Sequence, residues 1–252
     1  MALRTRCLVL GAFLFLPAGA MAAEALVAVA ANFKDVVDAL VPRFEQQSGH
    51  ELGVSIGSTG QFYSQIVQGA PFDAFLAADQ ERPARLEREQ RAVAGSRFTY
   101  AVGRLTLWSP DPERIAGDGA ATLERGDFRR LAIANPELAP YGAAAIEVLR
   151  SLGLEERLRP KIVMGEDIGQ TFGLVATGNV ELGFVALSYV LAPQNERPGS
   201  RWDVPAGLYS PLRQDAVLLE HGADNAAARA FLEFLGSDEA RAEIERRGYG
   251  TR

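Results

Sequence analysis

The chain has 252 residues, of which 48% are hydrophobic, and a formal net charge of −6 at pH 7. This acidic balance argues against a surface for DNA or RNA. The only cysteine, Cys7, excludes a disulfide within the chain and any metal site built from several thiolates. The length suits one large domain or two small ones, with enough core to fold without disulfides.

The first 22 residues have the pattern of an export signal. Arg4 and Arg6 precede an apolar run over residues 8–16, and small residues dominate positions 18–22. A charged start, a short apolar middle and a small-residue end are typical of a cleaved secretory signal. A buried N-terminal helix would instead show polar residues at helical spacing, and the run is too short for a permanent membrane span. We therefore predict that residues 1–22 are a signal peptide and that the mature protein is periplasmic, without cysteine.

Beyond the signal, short apolar stretches alternate with amphipathic ones. Alternation of strands and helices with short links predicts mostly parallel sheets with helices on their faces. Residues 98–108 fit one long strand or two short ones, and residues 190–206 are predicted to be a loop because of their prolines. Strands are predicted at 26–30, 52–56, 72–77, 131–134, 161–164, 182–187 and 211–219, and helices at 33–48, 61–68, 141–152, 168–177, 225–235 and 239–246.

The strand–helix pattern occurs twice and is followed by a segment that returns to the first unit. Two such units indicate an α/β protein of two lobes joined by two crossings, near residues 100–106 and 205–212. We expect residues 23–103 and 208–252 to form lobe 1 and residues 104–207 to form lobe 2.

Four strand-to-helix junctions contain polar residues or glycines, at 30–32, 57–60, 135–142 and 166–168. In open parallel sheets, ligands bind outside the carboxyl ends of the strands, where helices begin. A helix start offers unpaired backbone N–H groups and the positive end of a dipole, which together favour an anion. The four junctions therefore predict an anion site if the fold brings them together.

Neutral side chains at these junctions could add hydrogen-bond donors. Asn32 could donate from its amide, Ser58 and Thr59 from hydroxyls, and Tyr141 from its phenol. Asn, Ser and Thr are also ordinary helix N-caps, and Asn32 and Asp167 are predicted to cap the helices that follow them. No Lys or Arg lies within the junctions, so the donor set suits a small dehydrated anion held by geometry.

Several of these segments resemble the molybdate-binding components of bacterial molybdate ABC transporters. Each motif is weak alone, but together they follow one another in order and with matching spacing over nearly all of the mature chain. They are Ala30-Ala31-Asn32-Phe33-Lys34-Asp35, Gly57-Ser58-Thr59-Gly60, Gly69-Ala70-Pro71, Ala77-Ala78-Asp79-Gln80, Ala132-Ile133-Ala134-Asn135-Pro136, Ala139-Pro140-Tyr141-Gly142, Gly165-Glu166-Asp167-Ile168, Glu181-Leu182-Gly183-Phe184-Val185 and Arg247-Gly248-Tyr249-Gly250.

The resemblance implies a two-lobed periplasmic-binding-protein fold that holds molybdate or tungstate between its lobes. It implies a monomer that passes the anion to a membrane permease of an ABC transporter, without cofactor, nucleic acid or direct metal ligands. Smaller sulfate is expected to bind less well. The implied ligand positions are a backbone N–H of Ala31, the side chain of Asn32, a hydroxyl of Ser58 or Thr59, Tyr141, and a backbone N–H of Ile168.

One departure from the family concerns a tyrosine ligand that some members place just after the Gly-x-Val strand. This position is Ala186 here, and we do not expect Tyr189, three residues later, to replace it. The resemblance instead implies that Tyr141 supplies the phenol.

Three alternatives compete with this interpretation. The site could hold another tetrahedral oxyanion, such as sulfate or phosphate, or an organic anion. A secreted enzyme is disfavoured because His50 and His221 are far apart and no metal-binding motif is present. A ligand-sensing domain of a regulator would need a DNA-binding extension and no export signal.

Overall fold

The computed structural model describes residues 22–251, so the predicted signal peptide lies outside the described residues except for Ala22. No helix within the described range is both long and apolar enough to span a membrane.

The first lobe is built on a mixed five-stranded sheet with the order β2-β1-β3-β10-β4. Strands β1, β2 and β3 are parallel, as the alternating pattern predicts, whereas β10 lies antiparallel to both of its neighbours, β3 and β4. The strands are β1 (Glu24–Ala30), β2 (Glu51–Gly57), β3 (Ala74–Leu76), β4 (Phe98–Gly103) and β10 (Leu212–Leu218).

The second lobe repeats this design with the order β7-β6-β8-β5-β9. Strands β6, β7 and β8 are parallel, whereas β5 and β9 are antiparallel to their neighbours. The strands are β5 (Leu105–Ser109), β6 (Leu131–Ala134), β7 (Ile162–Gly165), β8 (Leu182–Ala186) and β9 (Ser200–Asp203). The two-lobed α/β fold predicted from the sequence is confirmed.

Helices follow the parallel strands and cover the sheets. The helices are α1 (Lys34–Ser48), α2 (Thr59–Val67), α3 (Glu81–Arg88), α4 (Gly119–Arg125), α5 (Pro140–Ser151), α6 (Glu155–Leu158), α7 (Ile168–Ala176), α8 (Leu187–Leu191), α9 (Ala226–Leu235) and α10 (Asp238–Arg246).

Residues 98–108 form two strands, and these belong to different sheets. Strand β4 ends at Gly103 in the first lobe and β5 begins at Leu105 in the second. The chain crosses back between β9 and β10. The prediction of a loop over residues 190–206 is wrong for β9, whose sequence Ser-Arg-Trp-Asp lacks an apolar alternation. As an edge strand it is held by backbone pairing with β5, a constraint that side-chain patterning does not reveal.

Each lobe has its own hydrophobic core. In the first lobe, β1 packs against Phe33, Leu40 and Phe44, with Phe231 of α9 beside them. The central strand β1 is buried on both faces over most of its length, which explains its continuous apolar sequence. The largest buried side chains of the second lobe include Trp108, Tyr141 and Phe184. Between the two cores, the carboxyl ends of parallel strands from the two lobes face one another.

Candidate anion-binding site

All four predicted junctions meet at one small cavity between the lobes. The first lobe contributes the ends of β1, β2 and β3, and the second contributes the starts of α5 and α7. The lining residues are Ala30, Ala31, Asn32, Gly57, Ser58, Thr59, Ala78, Ala139, Pro140, Tyr141, Asp167 and Ile168. This set includes all six residues proposed from the sequence as ligand positions.

A 3₁₀ turn over Ala31–Phe33 follows β1 and presents the first N–H groups of the site. Two of its carbonyl groups accept hydrogen bonds from side chains of the second lobe. Tyr189 donates from its hydroxyl to the Ala31 carbonyl, and Ser188 donates to the Asn32 carbonyl over 3.0 Å. Because C=O and N–H point in opposite directions across a trans peptide, the bond to the Ala31 carbonyl turns the Asn32 N–H away from α8.

The Asn32 side chain is not the N-cap that the sequence predicts. The 3₁₀ turn separates it from α1, whose N-cap position is Phe33. Asn32 is 2% exposed, and its amide Nδ2 donates to Gln214 Oε1 over 2.8 Å and to the Tyr249 hydroxyl over 3.0 Å. Its amide hydrogens are thus engaged within the protein.

Ser58 and Thr59 both place a hydroxyl at the start of α2. Ser58 Oγ accepts from the Gln61 N–H over 3.3 Å, as an N-cap does, and Thr59 Oγ1 accepts from the Ala78 N–H over 3.0 Å. Since both oxygens act as acceptors in these bonds, each hydroxyl retains its own hydrogen. Both hydroxyls can therefore still donate a hydrogen bond into the cavity.

Tyr141 stands at the start of α5, directly after Pro140. The helix begins close against β6, and a Cβ on Gly142 would overlap the Ala134 carbonyl oxygen. Tyr141 is 1% exposed, and its hydroxyl oxygen accepts from Gln214 Nε2 over 3.2 Å. Burial raises the pKa of the Tyr141 phenol well above its usual value, so the group stays protonated and can donate to an anion.

Ile168 opens α7 with an N–H that has no partner within the helix. Asp167 caps this helix, as predicted, because its Oδ1 accepts from the N–H groups of Gly169 at 2.7 Å and Gln170 at 2.9 Å. The cap uses the second and third N–H groups of the helix and leaves the first, that of Ile168, for the cavity.

The cavity is small and has no cationic lining. Its volume is about 10 Å³, far below the 300–1,000 Å³ typical of sites for organic ligands. A larger depression of about 490 Å³ lies outside the cleft and involves first-lobe residues only. No lining residue of the cavity is a Lys or Arg, and the described part of the chain contains no cluster of three His, Cys, Asp or Glu side chains suited to a metal ion. Size and donor chemistry fit a single small anion.

The lobes are closed over this cavity by direct hydrogen bonds. The Gly60 N–H donates to the Leu138 carbonyl over 2.8 Å, and Gln61 reaches Glu166 over 3.3 Å. Since these bonds join residues from opposite lobes, they form only when the cleft is shut.

Sequence reasoning missed the residues that support the lining, namely Gln214, Tyr249 and Ser188. Gln214 is a single polar residue within a strand pattern. Tyr249 belongs to the closing Gly-Tyr-Gly motif but does not lie at a strand-to-helix junction, where the site residues were sought. Ala186 is buried, and the Tyr189 hydroxyl donates to the Ala31 carbonyl.

A fold of two mixed sheets with a closed cleft defines a class of binding protein. Residues 25–250 match the family model of the bacterial extracellular solute-binding proteins, and the chain belongs to this family. It is therefore a binding protein and not an enzyme.

Two curated relatives and one solved structure are similar to this chain over most of its length. The chain is 52% identical to the molybdate-binding protein ModA of Azotobacter vinelandii, over 93% of each chain. It is 49% identical to ModA of Rhodobacter capsulatus, over 92% of this chain and 90% of the relative. The solved structure of the A. vinelandii periplasmic molybdate-binding protein superposes with a TM-score of 0.87 at 39% identity, covering 90% of this chain and 99% of that one.

Proposed function

We propose that this protein captures molybdate, and also tungstate, outside the cytoplasmic membrane and delivers it to the permease of an ABC transporter. The observation that carries the proposal is the convergence of four helix starts on one small cavity without a cation in its lining. The relatives that match most of the chain at about half identity are molybdate-binding proteins, which supports the choice of anion.

Binding is proposed to use neutral donors from both lobes. Ala31, Asn32 and Ile168 offer backbone N–H groups at helix starts, and Ser58, Thr59 and Tyr141 offer hydroxyls. Neutral donors at helix ends stabilise an anion without an ion pair, so recognition depends on the distances between donors. Sulfate is a smaller tetrahedron, so its oxygens would not all reach donors that are spaced for molybdate.

Lobe closure is proposed as the signal for delivery. The bonds between Gly60 and Leu138 and between Gln61 and Glu166 exist only in the closed form, and an anion that contacts both lobes would favour that form. The permease would then recognise the closed arrangement. The lobes would divide at residues 103–104 and 207–208, and the mature protein would act as a monomer after removal of residues 1–22.

Calorimetric titration of the mature protein with molybdate, tungstate, sulfate and phosphate tests the proposal. We expect tight binding of molybdate and tungstate and weak or no heat with sulfate and phosphate. Binding of sulfate or phosphate in preference to molybdate would assign the protein to another oxyanion. No heat of binding with any of the four anions would refute the site.

A further inference from the structure

Gln214 lies beneath the cavity and contacts ligand-position residues of both lobes. It belongs to β10 of the first lobe and is 0% exposed. Its Oε1 accepts from Asn32 Nδ2 over 2.8 Å, and its Nε2 donates to the Tyr141 hydroxyl over 3.2 Å. One buried amide thus joins a residue of the first lobe to one of the second, directly behind the cavity wall.

A β-bulge shapes the strand pair at this point. The pairing of β10 with β4 shifts between Gln214 and Asp215, where Gln214 faces Ala101 and Asp215 faces Thr99, so Tyr100 is the extra residue. The Tyr100 hydroxyl lies 3.1 Å from Gln214 Oε1. Bulges beside functional sites commonly redirect a side chain, and this one brings Tyr100 against the Gln214 amide.

The direction of the hydrogen bonds around Gln214 follows from the bonds that Tyr249 makes with Asn32. The Tyr249 hydroxyl donates to the Asn32 carbonyl, so its oxygen is an acceptor toward Asn32 Nδ2. Asn32 then presents its other Nδ2 hydrogen to Gln214 Oε1, which leaves Gln214 Nε2 as the donor to Tyr141. A phenol has a single hydrogen, and since Tyr141 accepts from Gln214, it keeps that hydrogen to donate, with an anion in the cavity or the neighbouring Tyr249 hydroxyl as the acceptor.

The opposite orientation of Gln214 would remove this donor. If the amide turned over, Oε1 would accept the Tyr141 hydrogen, and Nε2 would face the Nδ2 of Asn32, donor against donor. Asn32 would also have to turn, against its bond to Tyr249. The contacts therefore support one direction: Tyr249 fixes Asn32, Asn32 fixes Gln214, and Gln214 leaves Tyr141 as a donor.

Gly103 provides the space in which this contact forms. A Cβ at this position would lie 2.6 Å from Gln214 Nε2 and would overlap the Tyr141 hydroxyl. Gly103 is the last residue of β4, at the first crossing between the lobes. The hydrogen bond between Gln214 and Tyr141 therefore lies against this crossing.

We propose that Gln214 is a positioning residue for oxyanion binding, which orients Asn32 and keeps the Tyr141 phenol hydrogen available to an anion in the cleft. This inference rests on the proposed function and assigns a role to a side chain outside the cavity lining. Hydrogen bonds in such a chain polarise one another, so the donation by Gln214 also strengthens the Tyr141 donor.

The test is a double-mutant cycle on molybdate affinity with Gln214→Met, Tyr141→Phe and the double variant. Gln214→Met is expected to weaken binding about tenfold, the loss that corresponds to one hydrogen bond to a charged group. If Gln214 acts through Tyr141, the double variant will bind within about twofold of the weaker single variant, since coupled residues are not additive. Gln47→Met, at an exposed amide that binds Glu239, is the matched control and should retain wild-type affinity.

A purely structural role would lower the melting temperature but leave the two affinity losses multiplicative. Wild-type affinity in Gln214→Met, or full multiplication of the two losses, would overturn the inference. Absence of oxyanion binding by the wild type would instead reject the proposed function. Gly103→Ala provides a second route if Gln214→Met does not fold, because its methyl group must separate Gln214 from Tyr141. A several-fold loss is then expected, and unchanged affinity would contradict the role.

Discussion

Arg82 of the first lobe donates from Nη2 to the carbonyl oxygen of Glu137 in the second lobe, at 2.9 Å. Asp79 holds the arginine in place, because its Oδ2 binds Arg82 Nη1 and its Oδ1 accepts from the Arg82 N–H over 3.0 Å. Burial raises the pKa of the Asp79 carboxyl, and the charge of Arg82 opposes that rise. The pair is a clasp at the edge of the cleft, outside the cavity lining.

Removal of this clasp should weaken anion binding without changing the anion's contacts. Arg82→Gln is expected to reduce molybdate affinity by about 0.5–1.5 kcal/mol, the net value of one hydrogen bond, because the closed form loses a bond between lobes. Arg85→Gln on the same helix is the control, since the exposed Arg85 pairs with Glu89 and lies over the Tyr63 ring of its own lobe. Small-angle scattering with and without molybdate should show less complete closure for Arg82→Gln. Equal affinity in both variants would mean that the clasp does not contribute to closure.

The phenol of Tyr141 is expected to be a direct donor to the anion. Tyr141→Phe should weaken molybdate binding by about 1–3 kcal/mol, because a buried acceptor on the anion loses its partner. Tyr63→Phe removes a hydroxyl that binds Glu89, away from the cleft, and should leave affinity unchanged. Calorimetry on the two variants makes the comparison, and equal affinities would place Tyr141 outside the ligand shell.

Asn32 connects the first lobe's helix start to the buried network. Asn32→Ala should weaken binding by about 1–3 kcal/mol, since Gln214 and Tyr249 both lose a partner. Asn32→Asp should cost more, because a carboxylate would face Gln214 Oε1 and add negative charge beside the anion. Titration of both variants tests this order of affinities, and tighter binding by Asn32→Asp than by Asn32→Ala would contradict the account.

Stability at acid pH should depend on Glu243, which is 4% exposed and bound by Arg247 over 2.9 Å and by Arg43 over 3.2 Å. Burial acts to raise the pKa of Glu243, but hydrogen bonds from Arg247 and the attraction of Arg246 outweigh it and lower the pKa below the usual 4.5. A carboxyl whose folded pKa is lowered stabilises the fold above its unfolded pKa and loses that contribution as the pH falls through the folded pKa.

Glu243→Gln should therefore reduce the free energy of unfolding by about 1–3 kcal/mol at pH 7. The difference from wild type should shrink below pH 4.5, where the carboxyl becomes protonated in the unfolded chain and then in the folded one. Urea unfolding at several pH values measures it, with the more exposed Glu239→Gln as a control of small effect. A difference that stays constant down to pH 3 would show that the ion pairs do not stabilise the fold.

The sequence was sufficient for features that depend on local pattern. The alternating apolar and amphipathic stretches predicted β1, β6 and α5 to within two residues at each end, and the polar junctions identified the lining of the cavity. It was not sufficient for features set by tertiary contact. β9 is held by pairing with β5, and the role of Asn32 changed from a cap to a buried hydrogen-bonding residue because Gln214 and Tyr249, far away in sequence, meet it.

Neutral donors from four helix starts are proposed to hold a tetrahedral oxyanion between the lobes. A crystal structure of the mature protein with tungstate, with the metal located by anomalous diffraction, tests it most directly. We expect one strong peak in the cavity, with anion oxygens within hydrogen-bond distance of the Tyr141 hydroxyl and the Ile168 N–H. A peak outside the cleft, or one paired with a Lys or Arg side chain, would contradict it.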